Sequence, residues 1–215
     1  GCSMPQPERR RLAKMAREHG LAVIEDAVYN ELCELDDMRR TVKSYDTTGH
    51  VLLCHSFSKT LAPGLRLGWV EGGRWTQALC RTNSMQSGVQ TTVLELALAH
   101  LVSQPGHALS MRQLRGAIAA RLAVARETIA VHFPKGTRVS HPAGGLLLWL
   151  ELPRQVDMPR FHGTCLSEKI LVPPGRLFST GGRFAQCLRI GLGGEWSDAH
   201  VQALRRMGEW ATLAR

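Results

Sequence analysis

The sequence predicts an α/β protein in which a mostly parallel sheet flanked by helices is followed by a small α+β domain. The first observation is a set of short apolar runs, each ending in polar residues, at residues 21–25, 51–54 and 67–70. Runs of this length are typical of strands buried on both faces of a parallel sheet. The second observation is that helical patterns alternate with these runs. Such alternation indicates an α/β sheet, whose ligands bind beyond the carboxyl ends of its strands.

The first half of the chain begins with a predicted helix. Ser3 is followed three residues later by Gln6, which is the pattern of a capping box. Gly20 is a residue type that commonly ends a helix, so we expect this helix to run to about His19. The first strand follows directly and places Asp26 at its carboxyl end.

The pattern changes from about Thr91 onward, where longer helices are expected. Pro105 ends the first of these, and a Phe-Pro-Lys-Gly segment ends the second. The prediction is therefore two domains, residues 1–105 and residues 106–215, joined through a long helix. The expected elements of the second half are, in chain order, helices at residues 93–101 and 109–132, strands at 138–140 and 145–152, a helix at 161–169, strands at 170–172 and 187–192, and a helix at 197–213.

The composition is that of a globular protein. Of 215 residues, 44% are hydrophobic, and the longest apolar stretch, residues 144–150, is far shorter than a membrane span of roughly 18 residues. The six cysteines form no C-x-x-C pair, which argues against a zinc site and a disulfide scaffold and favours reduced thiols in the cytoplasm.

The net charge of +9 comes from 27 Lys and Arg against 18 Asp and Glu. Early basic residues lie at helical spacing without aromatic residues between them, so a solvated helix face is favoured over a nucleic-acid surface. These residues are Arg9, Arg10, Arg11, Lys14 and Arg17.

The most informative stretch is SFSKTLAPGLRLGW at residues 56–69. Lys59 follows an apolar strand, has hydroxyl residues beside it and precedes Arg66 by seven residues. This pattern suits a lysine that forms a Schiff base beside a phosphate site. Ser56 and Ser58 would donate hydrogen bonds to phosphate oxygens, and Arg66 would add a charge-assisted pair. An ordinary surface loop is the alternative, and this stretch alone does not decide between the two.

A second group of residues is IEDAVY at residues 24–29. The carboxylate of Asp26 at a strand end can bind a protonated pyridine nitrogen, which makes the ring an electron sink. Tyr29, three residues later, can reach a substituent of the same ring. A helix cap or turn residue is the alternative for Asp26, but its position one strand before the Ser-x-Ser-Lys segment favours the ring-binding role.

The third feature is Arg189, which lies within the apolar strand CLRIG. A guanidinium in such a strand needs an anion, and its planar fork fits a carboxylate bidentately. A structural ion pair is one interpretation. In the company of the other two motifs, capture of a substrate α-carboxylate is favoured.

The three motifs, in this order, resemble the carboxyl-terminal part of a fold-type I, class I/II aminotransferase that uses pyridoxal 5'-phosphate. The segment FSKTLAPGLRLGW at residues 57–69 is more narrowly similar to the aminotransferase-like domain of GntR/MocR-type transcription regulators. Residues 25–32, 141–145 and 173–175 agree with that subgroup, and the resemblance covers essentially the whole chain.

The resemblance implies a partial pyridoxal-phosphate transferase large domain followed by the small domain, and it assigns roles to single residues. Lys59 would also act as general base and acid, moving a proton from the substrate α-carbon to the cofactor. The implied positions are Lys59 for the Schiff base, Asp26 for the pyridinium nitrogen, Tyr29 for the ring hydroxyl, Ser56, Ser58 and Arg66 for the phosphate, and Arg189 for the substrate carboxylate.

The resemblance also implies what surrounds the chain. Gly1 is similar to the last residue of the family's Asn-Pro-Thr-Gly segment, so we expect the chain to start inside the large domain. A glycine-rich phosphate loop and a ring-stacking aromatic residue would precede it, and the chain by itself would bind the cofactor weakly or not at all. Ser110 stands where the subgroup has a histidine. A homodimer is implied, with DNA contacted only through an N-terminal domain absent here, and no membrane.

Three functions stay open at this point. The favoured one is the effector-sensing domain of a transcription regulator, in which an amino acid or amine shifts the domain arrangement. The second is a stand-alone amino acid aminotransferase. The third is a truncated relative with little cofactor binding.

Overall fold

The computed structural model describes residues 1–86 and 91–214, and these form two compact units. The first unit is Ser3–Gly116. The second unit comprises Ala117–Arg215 together with Gly1–Cys2. Each unit contains its own three-stranded sheet with helices, as the predicted α/β class requires.

Helix α5 (Pro105–His132) runs through the division between the two units. The sequence predicts the boundary between residues 105 and 106, just before the predicted long helix at 109–132, whereas the contacts divide at Gly116. Although α5 has 28 residues, no helix in the described part of the chain is long and apolar enough to cross a membrane.

The sheet of the first unit has the order β1-β2-β3 and contains the three predicted strands. Strand β1 (Val23–Asp26) runs parallel to β2 (Val51–Ser56), but β2 pairs antiparallel with β3 (Gly68–Glu71). The direction of β3 departs from the mostly parallel sheet that the sequence predicts. The connection explains it: between β2 and β3 the chain makes only a loop with one short 3-10 turn, Pro63–Leu65, and a parallel pair needs a longer crossover.

Helix α1 (Gln6–Glu18) starts later than predicted. The expected cap on Ser3 is wrong, because the N-cap residue is Pro5, whose carbonyl accepts two N–H groups of the first turn at 3.1 Å. Pro5 occupies the extended conformation that precedes a helix, and proline is well suited to that position. The end is as predicted, with His19 as C-cap and Gly20 in the left-handed region at φ +64°.

One residue assigned to the solvated face of α1 is in fact buried. Arg9 is only 7% exposed, and its guanidinium donates to the carbonyl oxygens of Met4 at 2.9 Å and Met38 at 3.0 Å. It therefore ties α1 to the segment that precedes it and to the short helix at Asp36–Arg39. On the sheet side of α1, Ala13 packs in a buried cluster with Val51 of β2.

Short elements connect the rest of the first unit. The helix predicted to end before Pro105 does so, since α4 ends at Ser103. The remaining elements of this unit are α2 (Asp36–Arg39), 3-10 turns at Asn30–Leu32, Lys43–Tyr45 and Gly73–Trp75, α3 (Thr76–Gln86) and α4 (Thr92–Ser103).

The second unit has an antiparallel sheet of order β4-β5-β6. Its strands are β4 (Arg138–Val139), β5 (Leu147–Glu151) and β6 (Cys187–Gly191). Two helices, α6 (Met158–Ser167) and α7 (Asp198–Leu213), complete it near their predicted positions. Its core contains the fully buried side chains of Phe161, Leu148, Leu150, Leu152, Leu188 and Leu192.

The strand predicted at residues 170–172 is not formed. Val172 is buried, as its apolar character suggested, but the segment leads into Pro173 and Pro174, which have no N–H to donate to a ladder. Pairing is limited to an isolated bridge between Pro174 and Leu188. Beside it, the N–H of Arg189 donates to the carbonyl oxygen of Pro173 at 3.0 Å.

Candidate functional site

The carboxyl ends of β1 and β2 bring two predicted groups to one edge of the sheet. Asp26 is the last residue of β1 and lies opposite Cys54 in the parallel register, while Ser56 ends β2. The N–H of Ala27 donates to the carbonyl of Cys54 at 2.9 Å, which extends the pairing past the strand. The Asp26 carboxylate therefore lies at a fixed place beside the strand that leads to Ser56.

The Asp26 side chain is exposed and partly turned toward its own backbone. Its Oδ1 accepts the N–H of Val28 at 3.1 Å, which shapes the turn after β1. Tyr29 is half-buried and leads into the 3-10 turn Asn30–Leu32, and its backbone carbonyl oxygen accepts the N–H of Leu32 at 3.1 Å. Because Leu32 is 1% exposed, it anchors the turn that carries Tyr29.

The turn after β2 is tightly wound around the carbonyl of Phe57. This oxygen accepts N–H groups from Thr60 at 3.3 Å, Leu61 at 2.9 Å and Ala62 at 3.2 Å. Lys59 lies in this turn, beyond the end of β2, and is exposed. Its amine has no carboxylate within 4 Å in the part of the chain that the structure describes.

Two hydroxyl groups meet beneath this turn. Ser56 Oγ lies 3.1 Å from Ser58 Oγ and accepts the N–H of Ser58 at 3.3 Å. Both serines are half-buried, so their hydroxyls stay within reach of a ligand at the sheet edge. The two hydroxyl groups and the nearby amine form a set of donors suited to an anion.

Arg66 lies at the far end of the same loop in an uncommon backbone conformation. Its φ of 52° and ψ of 32° fall in the left-handed region, which costs a non-glycine residue about 1–2 kcal/mol. The N–H of Phe57 donates to the carbonyl of Leu67 at 3.1 Å, which closes the loop next to Arg66. Strain held at an exposed arginine points to a functional role for its guanidinium.

A glycine allows the close approach of β3 to this loop. Gly68 pairs with Ser56, and a Cβ built at Gly68 would lie 2.4 Å from the carbonyl oxygen of His55. A larger residue would push β3 away from β2. A glycine at position 68 therefore allows the close pairing of β2 and β3 that fixes both ends of the loop carrying Lys59 and Arg66.

Sequence reasoning missed a histidine–glutamate pair next to this edge of the sheet. His55 is 8% exposed, its ring stacks on Trp69 with centroids 5.4 Å apart, and Nε2 lies 3.7 Å from Glu31 Oε2. Glu31 follows Tyr29 by two residues and His55 directly precedes Ser56, so the two loops of the site come close together here without a hydrogen bond between these side chains. The sequence signal was the polar residue within an apolar strand.

Sequence reasoning also missed the thiol beside Asp26. Burial raises the pKa of Cys54, and the negative charge of Asp26 raises it further. This effect requires the two side chains to lie close together on one face of the sheet. The parallel register of β1 and β2 produces that arrangement, and it cannot be read from either strand alone.

Arg189 belongs to the second unit and lies in the middle of β6, opposite Trp149 of β5. Its guanidinium carbon lies 5.1 Å from the ring centroid of Phe178, and Trp149 meets that ring edge-on. No carboxylate of the described residues lies within 4 Å of it, so the structural ion pair considered above is not formed within the unit. Stacking leaves the in-plane N–H groups of an arginine free for an anion.

Comparison with known proteins places these features in a family. Residues 1–206 match the family described as aminotransferase class I and II. The chain is 36% identical over 209 residues to the uncharacterized HTH-type transcriptional regulator YjiR of Escherichia coli, covering 97% of this chain and 44% of YjiR. It is 27% identical over 210 residues to the 2-aminoadipate transaminase of Thermus thermophilus, covering 95% of this chain and 52% of that protein.

Solved structures show the same fold. The crystal structure of LysN, an α-aminoadipate aminotransferase of Thermus thermophilus complexed with N-(5'-phosphopyridoxyl)-L-leucine, superimposes with a TM-score of 0.89 at 24% identity. The match covers 98% of this chain and 55% of LysN. The chain thus spans about half the length of the relatives it matches.

Proposed function

Because the chain belongs to the aminotransferase class I and II family, we propose that it binds pyridoxal 5'-phosphate through Lys59 and supports amino-group transfer chemistry. The observation that carries this proposal is the convergence of residues 26–29 and 56–66 on one edge of the sheet in the first unit. One segment brings a carboxylate and a phenol. The other brings two hydroxyls, an amine and a guanidinium.

The residues present fit a phosphate ester joined to a pyridine ring. Ser56 and Ser58 present hydroxyls 3.1 Å apart, and Arg66 supplies a charged fork at the end of the same loop, which together match a phosphate dianion. The Asp26 carboxylate would accept the N–H of a protonated ring nitrogen. The Tyr29 hydroxyl would donate to the ring oxygen.

The chemistry divides between the cofactor and the protein. The bound cofactor would supply an electron sink, which lowers the barrier to removing a proton from the substrate α-carbon. Asp26 would keep that sink effective by holding the proton on the ring nitrogen. Lys59 Nζ would take the α-carbon proton as general base and deliver it as general acid to the C4′ carbon of the cofactor.

Arg189 would orient the amino acid substrate. Its guanidinium can bind the α-carboxylate bidentately, and the face of Phe178 supports it from one side at 5.1 Å. A bidentate pair fixes both the position and the plane of the carboxylate. That orientation determines which bond at the α-carbon faces the cofactor ring.

The proposed role within this chemistry is the effector-sensing part of a GntR/MocR-type transcription regulator. The support is the similarity to two Escherichia coli HTH-type regulators, YjiR at 36% and YdcR at 29% identity, against 27% for a transaminase. A stand-alone amino acid aminotransferase is the second candidate, since that transaminase also matches 95% of the chain. In either role we propose a homodimer in the cytoplasm.

Cofactor attachment is tested by spectroscopy and mass analysis of the full-length protein. Pyridoxal phosphate should give a visible absorbance band, and borohydride should fix the cofactor on the peptide that contains Lys59. Lys59→Ala should lose both signals, while Lys135→Ala, a change at an exposed lysine of the second unit, should keep both. A Lys59→Ala protein that keeps the band would refute the assignment.

The two candidate roles are separated by measuring turnover and DNA binding on the same preparation. A regulator should bind DNA with an affinity that changes when an amino acid or amine is added, with little transfer to a 2-oxo acid. An aminotransferase should show steady turnover and no such DNA response. A dimer in light scattering at micromolar concentration is expected in both cases.

A further inference from the structure

We propose that the second unit carries a binding site for a small carboxylate with an apolar body. The site is a cavity of about 860 Å³ lined by helix α6, the turn before it, and the segments that precede β6. This volume is within the range of roughly 300–1,000 Å³ that small-molecule sites occupy. None of the residues assigned to cofactor or substrate lines it, and the inference does not depend on the proposed function.

The walls of the cavity are mostly apolar. The apolar residues that line it are Val156, Met158, Pro159, Leu166 and Pro174. Leu166 is 53% exposed even though it lies within this concave surface. An apolar ligand body would remove that surface from water, which is the general driving force for binding in such a pocket.

Charge on the walls selects an anion. Arg154 and Arg176 both line the cavity and are exposed, and neither has a carboxylate within 4 Å among the described residues. Asp157 is the one carboxylate on the wall, and its Oδ1 already accepts the N–H of Arg160 at 3.1 Å as the cap of α6. Two guanidinium groups against one occupied carboxylate leave the cavity positive, so a ligand carboxylate is favoured.

The cavity is held open by hydrogen bonds that do not need a ligand. The Gln186 side-chain amide donates to the carbonyl oxygens of Arg154 at 2.9 Å and Val156 at 3.3 Å. The N–H of Asp157 donates to Ala214 at 2.7 Å, which ties the start of α6 to the end of α7. A wall held in place before binding reduces the entropy that a ligand must overcome.

The first test compares a charged probe with its neutral counterpart by isothermal titration calorimetry. We expect 4-phenylbutyrate to bind the purified protein saturably with one site, and 4-phenylbutan-1-ol to bind about tenfold more weakly because it lacks the carboxylate. Arg154→Gln and Arg176→Gln should each lower the affinity for 4-phenylbutyrate by about three- to tenfold. Arg160→Gln, a change on α6 outside the cavity lining, should leave the affinity unchanged.

A second test blocks the cavity. Gly163 lines it within α6, and a Cβ at this position would meet no atom within 4 Å, so the indole of Gly163→Trp has room to occupy the space. This variant should abolish 4-phenylbutyrate binding. Gly106→Trp is the matched control, because Gly106 is also helical, has equally open surroundings and does not line the cavity.

Several outcomes would overturn the proposal. They are equal binding of the acid and the alcohol, absence of binding to the unmodified protein, and unchanged binding to Gly163→Trp. Loss of 4-phenylbutyrate binding in Arg189→Gln would show that the probe binds at the proposed substrate arginine. That result would also contradict the proposal. If a variant loses its helical circular dichroism, the comparison of the two probes on the unmodified protein decides alone.

Discussion

At the scale of single residues, the candidate site uses side chains that contribute little to the core. Lys59, Asp26 and Arg66 are all exposed, whereas the residues that hold their loops, such as Leu32 and Leu67, are buried. The functional groups can therefore be changed with small effects on folding. Arg66 is the exception in one respect, because its backbone is held at φ 52°.

Arg66 allows backbone strain and phosphate binding to be separated. Arg66→Ala and Arg66→Gly both remove the guanidinium, so both should weaken pyridoxal phosphate binding by about tenfold or more. Only glycine adopts the left-handed conformation freely. The free energy of unfolding of Arg66→Gly should therefore be about 1 kcal/mol higher than that of Arg66→Ala. Urea denaturation measures the second difference, and equal stabilities of the two variants would contradict this prediction.

At the scale of elements, the loop before β2 is held by a buried carboxylate that sequence reasoning did not identify. The side chain of Asp46 is 1% exposed and accepts the N–H groups of Thr48 at 3.0 Å, His50 at 3.2 Å and Val51 at 2.8 Å. Lys43 Nζ lies 3.2 Å from it. Asp46 therefore fixes the backbone at the start of β2.

Asp46 should make stability depend on pH in the acid range. Burial by itself raises its pKa, but the hydrogen bonds from Val51, Thr48, His50 and Lys43 outweigh burial and hold the pKa well below the ordinary value. A group with a lowered pKa stabilises the fold above its unfolded value of about 3.9, and this stabilisation is lost as the pH falls below that value.

Thermal unfolding between pH 7 and pH 3 tests this expectation. Asp46→Asn should lower the free energy of unfolding by about 1–3 kcal/mol at pH 7 and should flatten its decline below pH 4. Asp37→Asn, at an exposed aspartate of α2, should follow the unmodified protein. A decline in Asp46→Asn as steep as in the unmodified protein would contradict the role of this carboxylate.

Helix α7 illustrates packing between elements of the second unit. A Cβ at Gly208 would lie 2.5 Å from the carbonyl oxygen of His132, at the end of α5. Gly208→Ala should destabilise the protein by about 1–3 kcal/mol even though alanine favours a helix, because the clash is with backbone. Gly116→Ala in α5 has open surroundings and should instead stabilise by about 0.5–1 kcal/mol. Chemical denaturation of both variants checks the opposite signs.

At the scale of the whole molecule, the six cysteines differ in how far each is buried, and they occur in both units. All six are free: Cys2 and Cys80 are exposed, Cys54 is intermediate, and Cys33, Cys165 and Cys187 are buried. Burial raises the pKa of Cys165 to about 11. The native fold therefore keeps the three buried thiols away from reagents, which react with the thiolate form.

Labelling with iodoacetamide at pH 8 should follow this order. Cys2 and Cys80 should be modified first, and Cys165 only after denaturation, as read by mass spectrometry of the peptides. Cys54 should react at an intermediate rate because burial and the nearby Asp26 raise its pKa. Rapid labelling of Cys165 in the folded protein would show that α6 does not pack as described.

Much of the fold could be predicted from the sequence because it depends on short-range patterns. The apolar runs identified all three strands of the first sheet, and the helical spacing identified the long helices on either side of Pro105. The loop from Ser56 to Arg66 could likewise be proposed as a functional segment, since those residues are neighbours in the chain. Where a local pattern failed, as for the cap on Ser3, a neighbouring proline supplied a competing start.

The order of residues by itself determined most of the longer helices and strands, the family and the identity of the chemical groups. Only the tertiary structure decided that β3 runs antiparallel, that Cys54 lies beside Asp26, that His55 faces Glu31, and that a positive cavity opens beside α6. These features arise from pairing between segments far apart in the chain. Such pairing is set by strand register, connection length and packing of the whole unit, and no local pattern contains that information.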